Sequence, residues 1–198
     1  RRSCHNYLNP YQQGIKNAKQ IKLKQIELSF KNLPESFHNY KILHLTDLHI
    51  DTIVGLEEIL VNKIKEENSD ICFLTGDYRK YTSGAYKHIF PALQKITQNT
   101  HTKDGIYAIL GNHDSYKMVA PLEALGINLL INESVKVKKG EEEILITGTD
   151  DPHYYPSEHH IAALNTQKAQ FKIALVHSPE LFEEAAYNNY NLYLRTQT

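Results

Sequence analysis

Short apolar runs alternate along the chain with stretches whose apolar positions repeat every three to four residues, and this alternation predicts the fold. Ile21, Leu23, Ile26, Leu28 and Phe30 are interleaved with polar residues, which predicts a strand over 21–30 with a slip or bulge near Lys24-Gln25. Residues 41–46, 71–75, 106–110 and 171–176 are almost continuously apolar, as strands buried on both faces are. Leu56, Ile59, Leu60 and Ile64 mark one face of a helix over 56–67, and Tyr86, Ile89, Phe90, Leu93 and Ile96 one over 84–97. Shorter helices are predicted at 117–125, where Pro121 limits a regular start, at 157–168, and after Pro179-Glu180. Consecutive short strands follow the third apolar run at 127–131, 134–138 and 143–147, and a last one covers 191–194. Residues 1–19 are polar, with a turn at Asn9-Pro10, and read as an extended or loosely ordered lead-in. A β-α-β region that gives way to consecutive strands implies an α/β layered fold with mixed sheets.

Composition narrows the possibilities without naming a chemistry. A chain of 198 residues suits one domain, placed at 20–198 behind the lead-in. Its net charge of -1 argues against a general nucleic-acid binder. The charge is unevenly spread, however. Arg1, Arg2, Lys16, Lys19, Lys22, Lys24 and Lys31 face Glu27 alone in the first 31 residues. Such a segment suits contact with an anionic membrane surface, or equally an edge strand guarded by lysines. No apolar run approaches the roughly 18 residues that span a bilayer. The first residue is not Met, so the expected location is the membrane if an apolar anchor precedes residue 1, and the cytoplasm otherwise. Two cysteines, Cys4 and Cys72, suggest neither a disulfide framework nor a thiolate metal site.

The candidate chemistry lies where the apolar runs end. The run 41–46 leads into Asp47-Leu48-His49, 71–75 into Gly76-Asp77, 106–110 into Gly111-Asn112-His113-Asp114, and 171–176 into His177. Ligands of parallel α/β sheets bind beyond the carboxyl ends of strands. Asp47 and His49 are two apart, so in an extended segment they would point to one side. Carboxylates and imidazoles without thiolate favour Mn, Fe or Zn over soft metals, and Asp77 between two strands could bridge two ions. Each residue alone has a plainer reading: Gly-Asp is a common turn, and a lone His after a strand is more often a capped or solvated one. The whole set, in this order and each at a strand end, is hard to produce by chance.

Asp-x-His, Gly-Asp, Gly-Asn-His-Asp and a strand-end His together resemble the calcineurin-like metallophosphoesterases. That resemblance implies a fold of the αββα kind, a sandwich of two mixed β-sheets flanked by helices. It implies two divalent metal ions (Mn, Fe, Zn or Mg). Asp47 and His49 would hold the first, Asn112 and His177 the second, and Asp77 would bridge them. It makes His113 the residue that contacts the phosphate and protonates the leaving group, oriented by Asp114. It assigns Asp150 and Asp151, in the loop Gly148-Thr149-Asp150-Asp151-Pro152, to the mouth of the site, against the plainer reading of a capped turn. The implied substrate is a phosphate-bearing small molecule or lipid, with a lipid-linked nucleotide such as UDP-2,3-diacylglucosamine as one analogy among bacterial membrane-associated members. The family's Gly-His-x-His, expected after the last strand, is absent; the chain reads Arg195-Thr196-Gln197-Thr198 there. The domain is therefore expected to be incomplete at its C-terminal end. The alternative to a hydrolase is an impaired relative that only binds metal or a phosphate-bearing ligand. Of the other histidines, His44 is expected to be buried and hydrogen-bonded, and His5, His38, His88, His101, His159 and His160 solvated.

Overall fold

Residues 9–155, 157–165 and 168–196 are described by a computed structural model. In chain order the elements are α1 (Pro10–Ala18), β1 (Ile42–Leu45), α2 (Leu56–Ile64), β2 (Asn68–Ser69), β3 (Ile71–Leu74), α3 (Phe90–Gln98), β4 (His101–Thr102) and β5 (Ile106–Ala108). They continue with α4 (Val119–Glu123), β6 (Ile127–Leu129), β7 (Glu133–Lys139), β8 (Glu142–Gly148), α5 (His159–Asn165), β9 (Lys172–Leu175), α6 (Phe182–Tyr187) and β10 (Leu192–Leu194). Two four-stranded sheets result, ordered β1-β3-β5-β6 and β10-β9-β8-β7, with β2 and β4 pairing separately. Only the second sheet is mixed, through the antiparallel β7–β8 pair. The first is parallel throughout, because each of its strands returns by a helical crossover.

The apolar runs are continuous because each strand feeds two cores. In β3, Ile71 and Phe73 face the other sheet, while Cys72 and Leu74 face α2 and α3. In β9, Ile173 and Leu175 join the core between the sheets, and Ala174 and Val176 pack with Leu164, Leu181 and Ala185 of the helical layer beyond. Helix, sheet, sheet and helix thus stack in the order the resemblance implies. At one end the sheets meet with no room to spare. A Cβ on Gly148 would lie 2.4 Å from Leu130 Cβ and 2.8 Å from Ile109 Cγ2.

The structure departs from expectation at the N-terminal end. Residues 10–18 are a helix rather than a loose lead-in; residues 1–8 lie outside the described part. Asn9 is its cap, accepting from Tyr11 N at 3.1 Å, and Pro10 supplies a preset φ in the first turn. The predicted strand at 21–30 is in no ladder among the described residues. Ile21 and Phe30 pack at its two ends, while Leu23, Ile26 and Leu28 are 51%, 63% and 56% exposed. Alternation defines which way side chains face, but a strand also needs a row of backbone partners. No described helix is long and apolar enough to cross a membrane.

Candidate metal centre

Parallel registry brings the strand ends level. Leu45, Leu74, Ala108 and Leu129 stand side by side in one sheet, and Gly148, Leu175 and Leu194 in the other. The chain leaving β1 stays bonded to the chain leaving β3: Asp47 N donates to Gly76 O at 3.1 Å and His49 N to Asp77 O at 2.9 Å. The segment is not extended, contrary to the argument that turned Asp47 and His49 to one side. Asp47, His49 and Asp77 all have positive φ, at 51°, 35° and 59°. For such residues the left-handed region costs on the order of 1 kcal/mol or more each, and strain of this kind collects at functional sites. Here it is the bend that aims the side chains inward.

Asp77 is the hub. Its carboxylate, on a residue only 4% exposed, meets three imidazole Nε2 atoms: His49 at 3.5 Å, His177 at 3.5 Å and His113 at 3.8 Å. In each of those rings Nδ1–H donates to a backbone carbonyl: His49 to Arg79 O at 2.8 Å, His113 to Lys80 O at 2.5 Å and His177 to Thr75 O at 2.7 Å. A carbonyl can only accept, so it fixes the tautomer and leaves each Nε2 lone pair aimed at the hub when the ring is neutral. Two groups of ligand atoms, each within 4.8 Å of one another, share Asp77: His49 with His113, and Asp47 with His177. Asn112 Oδ1 lies 3.1 Å from His177 Nε2, which brings it to the second group. All five expected metal-ligand residues therefore converge, together with His113. Their hard oxygen and imidazole donors around one shared carboxylate fit divalent ions. Asp47 Oδ2 also accepts from the hydroxyls of Thr46, at 2.7 Å, and Thr196.

The charges are coupled. Burial pushes the Asp77 carboxyl up, but the hydrogen bonds from His177 and His113 N–H and the charges of both rings outweigh it and hold the group below its usual range. Burial disfavours a charged His177 ring, yet its bonds to Asp77 and the Thr75 carbonyl lift it to about 9. Asp114 is pushed up to about 6, chiefly by burial.

Asp114 has a different task from the one expected of it. Its oxygens accept from Asp77 N at 2.7 Å, Gly111 N at 2.9 Å and Tyr78 N at 3.1 Å. It clamps the loops after β3 and β5 together, while Lys80 O, not Asp114, orients the His113 ring. The close approach requires glycines. A Cβ on Gly76, whose φ is +94°, would lie 2.4 Å from Gly111 N, and one on Gly111 would lie 2.3 Å from Asp77 Oδ1.

Two supporting residues escaped sequence reasoning. Tyr78, 1% exposed, donates its hydroxyl to Ile109 O at 2.7 Å. Arg79, 2% exposed, spends its guanidinium on His113 O, Thr82 O and Gly84 O at 2.6, 2.9 and 3.2 Å. The adjacency of both to Gly76-Asp77 was their one signal. Asp150 and Asp151 are buried in the loop after β8, whose Thr149 N bonds Leu175 O. His44 meets Thr75 Oγ1 at 2.8 Å, as expected of a hydrogen-bonded strand histidine. His160 is only 6% exposed, so α5 buries a residue expected in solvent, and His88 pairs with Asp51 at 2.9 Å.

Comparison with known proteins finds metallophosphoesterase relatives. An uncharacterized metallophosphoesterase of Bacillus subtilis, YkoQ, is 29% identical over 176 residues, covering 84% of this chain and 63% of its own length. A Danio rerio transmembrane protein with a metallophosphoesterase domain is 29% identical over 149 residues, 70% of this chain and 33% of that protein. The chain thus spans less than two thirds of either relative. A solved structure of a hypothetical protein from Thermus thermophilus shares the fold with a TM-score of 0.50 at 14% identity, over 79% of this chain and 67% of that one. The profile of the calcineurin-like phosphoesterases matches residues 40–195, a range that contains every residue of the centre but Thr196. The chain belongs to the calcineurin-like phosphoesterase family.

Proposed function

We propose that this chain hydrolyses a phosphoester or pyrophosphate bond at a dinuclear centre built on Asp77. The observation that carries the reading is the shared carboxylate faced by three imidazoles whose tautomers are set by backbone carbonyls. Asp47, His49, Asn112 and His177 would hold two divalent ions with Asp77 between them. When bound, such ions supply acidified water and neutralise charge on phosphoryl oxygens. His113 acts beside them. With Nδ1–H held by Lys80 O, its Nε2 is the atom that gives a proton to the leaving alcohol, and the carbonyl stabilises the ring while it is charged. The side chain is 27% exposed, within reach of a substrate.

Phosphodiesters, nucleotides and lipid-linked pyrophosphates such as UDP-2,3-diacylglucosamine all contain the bond in question. Exposed Leu23, Ile26 and Leu28 among Lys22, Lys24 and Lys31 suit approach to an anionic lipid surface. A second reading, metal binding without turnover, draws on the Thr46 and Thr196 hydroxyls bonded to Asp47. Hydrolysis of bis(p-nitrophenyl) phosphate with and without Mn²⁺, beside Asp77→Ala, separates the two. Turnover that needs both the metal and Asp77 supports the hydrolase. A folded protein that binds Mn²⁺ and releases no nitrophenol supports the second reading.

A further inference from the structure

Between the loops after β5 and β8 lies a cavity of about 450 Å³ lined by Tyr116, Asn132, Asp150, Tyr154 and Tyr155 among others. Its volume is in the range of small-molecule sites. Tyr116 follows His113 by three residues, and Asp150 lies in the loop bonded to the end of β9, just before His177. The cavity therefore adjoins the place where a leaving group would emerge.

Three tyrosine rings form its walls at steep mutual angles. Tyr155 stands between the others, its centroid 4.8 Å from Tyr116 at 59° and 5.0 Å from Tyr154 at 77°. Tyr116 and Tyr154 are 44% and 50% exposed, so aromatic surface is open to a ligand. Beneath them Asp150, 3% exposed, accepts the Tyr116 hydroxyl on Oδ2 at 2.8 Å. Its other oxygen has no hydrogen-bond partner, and His160 Nδ1, 3.7 Å away, has none either. No Lys or Arg lines the cavity among the described residues, and His159 is the one basic side chain in its lining. Tyr155 feels the charges of Asp150 and Asp114, and that of Arg79, whose guanidinium is buried and engaged by three carbonyls. Electron-rich ring faces inclined to one another over a buried carboxylate are the arrangement that favours an organic cation. Donation of the Tyr116 proton toward a carboxylate makes that ring more electron-rich still.

We propose that this cavity binds the ammonium group of an amino-alcohol arm, such as choline or ethanolamine, carried on the phosphoester that the centre cleaves. The assignment rests on the hydrolase reading for its substrate, but the cavity's taste for cations can be measured without turnover. The 198-residue protein, labelled with ring-¹³C tyrosine, is titrated with choline chloride and separately with 3,3-dimethylbutan-1-ol, its uncharged isostere. Saturable shifts of the Tyr116 and Tyr155 signals by choline, at least about tenfold weaker for the isostere, are expected. Asp150→Asn and Tyr155→Ala should each weaken choline by a similar factor; the second alters a half-buried wall and leaves the buried loop intact. Equal binding of choline and isostere, no saturable shift with choline, or choline binding undiminished in both variants overturns the proposal. Choline binding in a protein that hydrolyses no phosphodiester would keep the cation site and remove the hydrolase reading. Hydrolysis without choline binding would do the reverse.

Discussion

Replacing Gly111 by Ala tests whether the centre depends on the close approach of two loops. Gly111 has no positive φ, so Ala suits its backbone and the whole effect is one added carbon. That carbon would lie 2.3 Å from Asp77 Oδ1, 2.7 Å from Asp77 N and 2.8 Å from His177 Cε1. Ordinary contact needs on the order of 3.5 Å, so the loops must part by about 1 Å. They are not free to do so. Asp114 Oδ2 holds both Gly111 N, at 2.9 Å, and Asp77 N, at 2.7 Å, and Asp77 Oδ1 accepts from His113 N at 2.9 Å. Overpacking of this kind costs about 1–3 kcal/mol, which in a chain of this size lowers Tm by about 2–12 °C. Ligand geometry tolerates only about 0.5 Å of error, so Mn²⁺ affinity should fall at least tenfold while the protein still folds. Calorimetric titration with Mn²⁺ and a thermal melt measure both effects. Gly14→Ala, on exposed α1 with open space around its position, is the control: it should leave Mn²⁺ affinity unchanged and should not lower Tm, since Ala is the better helix former. Wild-type Mn²⁺ affinity and stoichiometry in Gly111→Ala would falsify the idea that contact between these loops sets the ligand positions.

Three further expectations follow from other parts of the molecule. His113→Ala should lower turnover by a factor on the order of 10²–10⁴ while two ions still bind; loss of an ion, read by titration, would make His113 a ligand instead of an acid. Arg79→Met keeps the stem but strands the His113, Thr82 and Gly84 carbonyls, and urea unfolding should show a loss of about 3 kcal/mol. Arg79→Lys, with a point charge in place of the fork, should recover only part of it, and full recovery would refute the three-carbonyl account. Cys72 is 0% exposed and burial pushes its thiol up to about 12. Peptide mapping should find it unmodified by iodoacetamide in the folded protein and labelled in urea; rapid labelling of the native protein would contradict the packing of β3.

Much of the fold was legible because burial on both faces writes itself into composition. Ile71-Cys72-Phe73-Leu74 must be apolar throughout, since alternate residues enter different cores, and β9 obeys the same rule. The mixed character of the sheets was only half legible. Strand direction depends on the route of each crossover, which apolar content does not record, and the first sheet proved parallel. Residues 21–30 had the alternation of a strand without a described partner, and Asn9-Pro10 served as a helix cap although the same pair also marks turns.

The sequence by itself determined which residues stand at the strand ends. Donors placed directly after a buried run have their roots set by the run, so Asp47, His49, Asp77, Asn112, His113 and His177 could be picked out in advance. Tertiary structure decided how they are used. Asp114 became a clamp for three backbone N–H groups instead of a partner for His113, and carbonyls of Arg79, Lys80 and Thr75 took the work of orienting the rings. Backbone atoms have no signature in a sequence, because every residue carries them. Which carbonyl meets which imidazole is settled only when Gly76 and Gly111 let two loops, thirty-five residues apart, close to within contact.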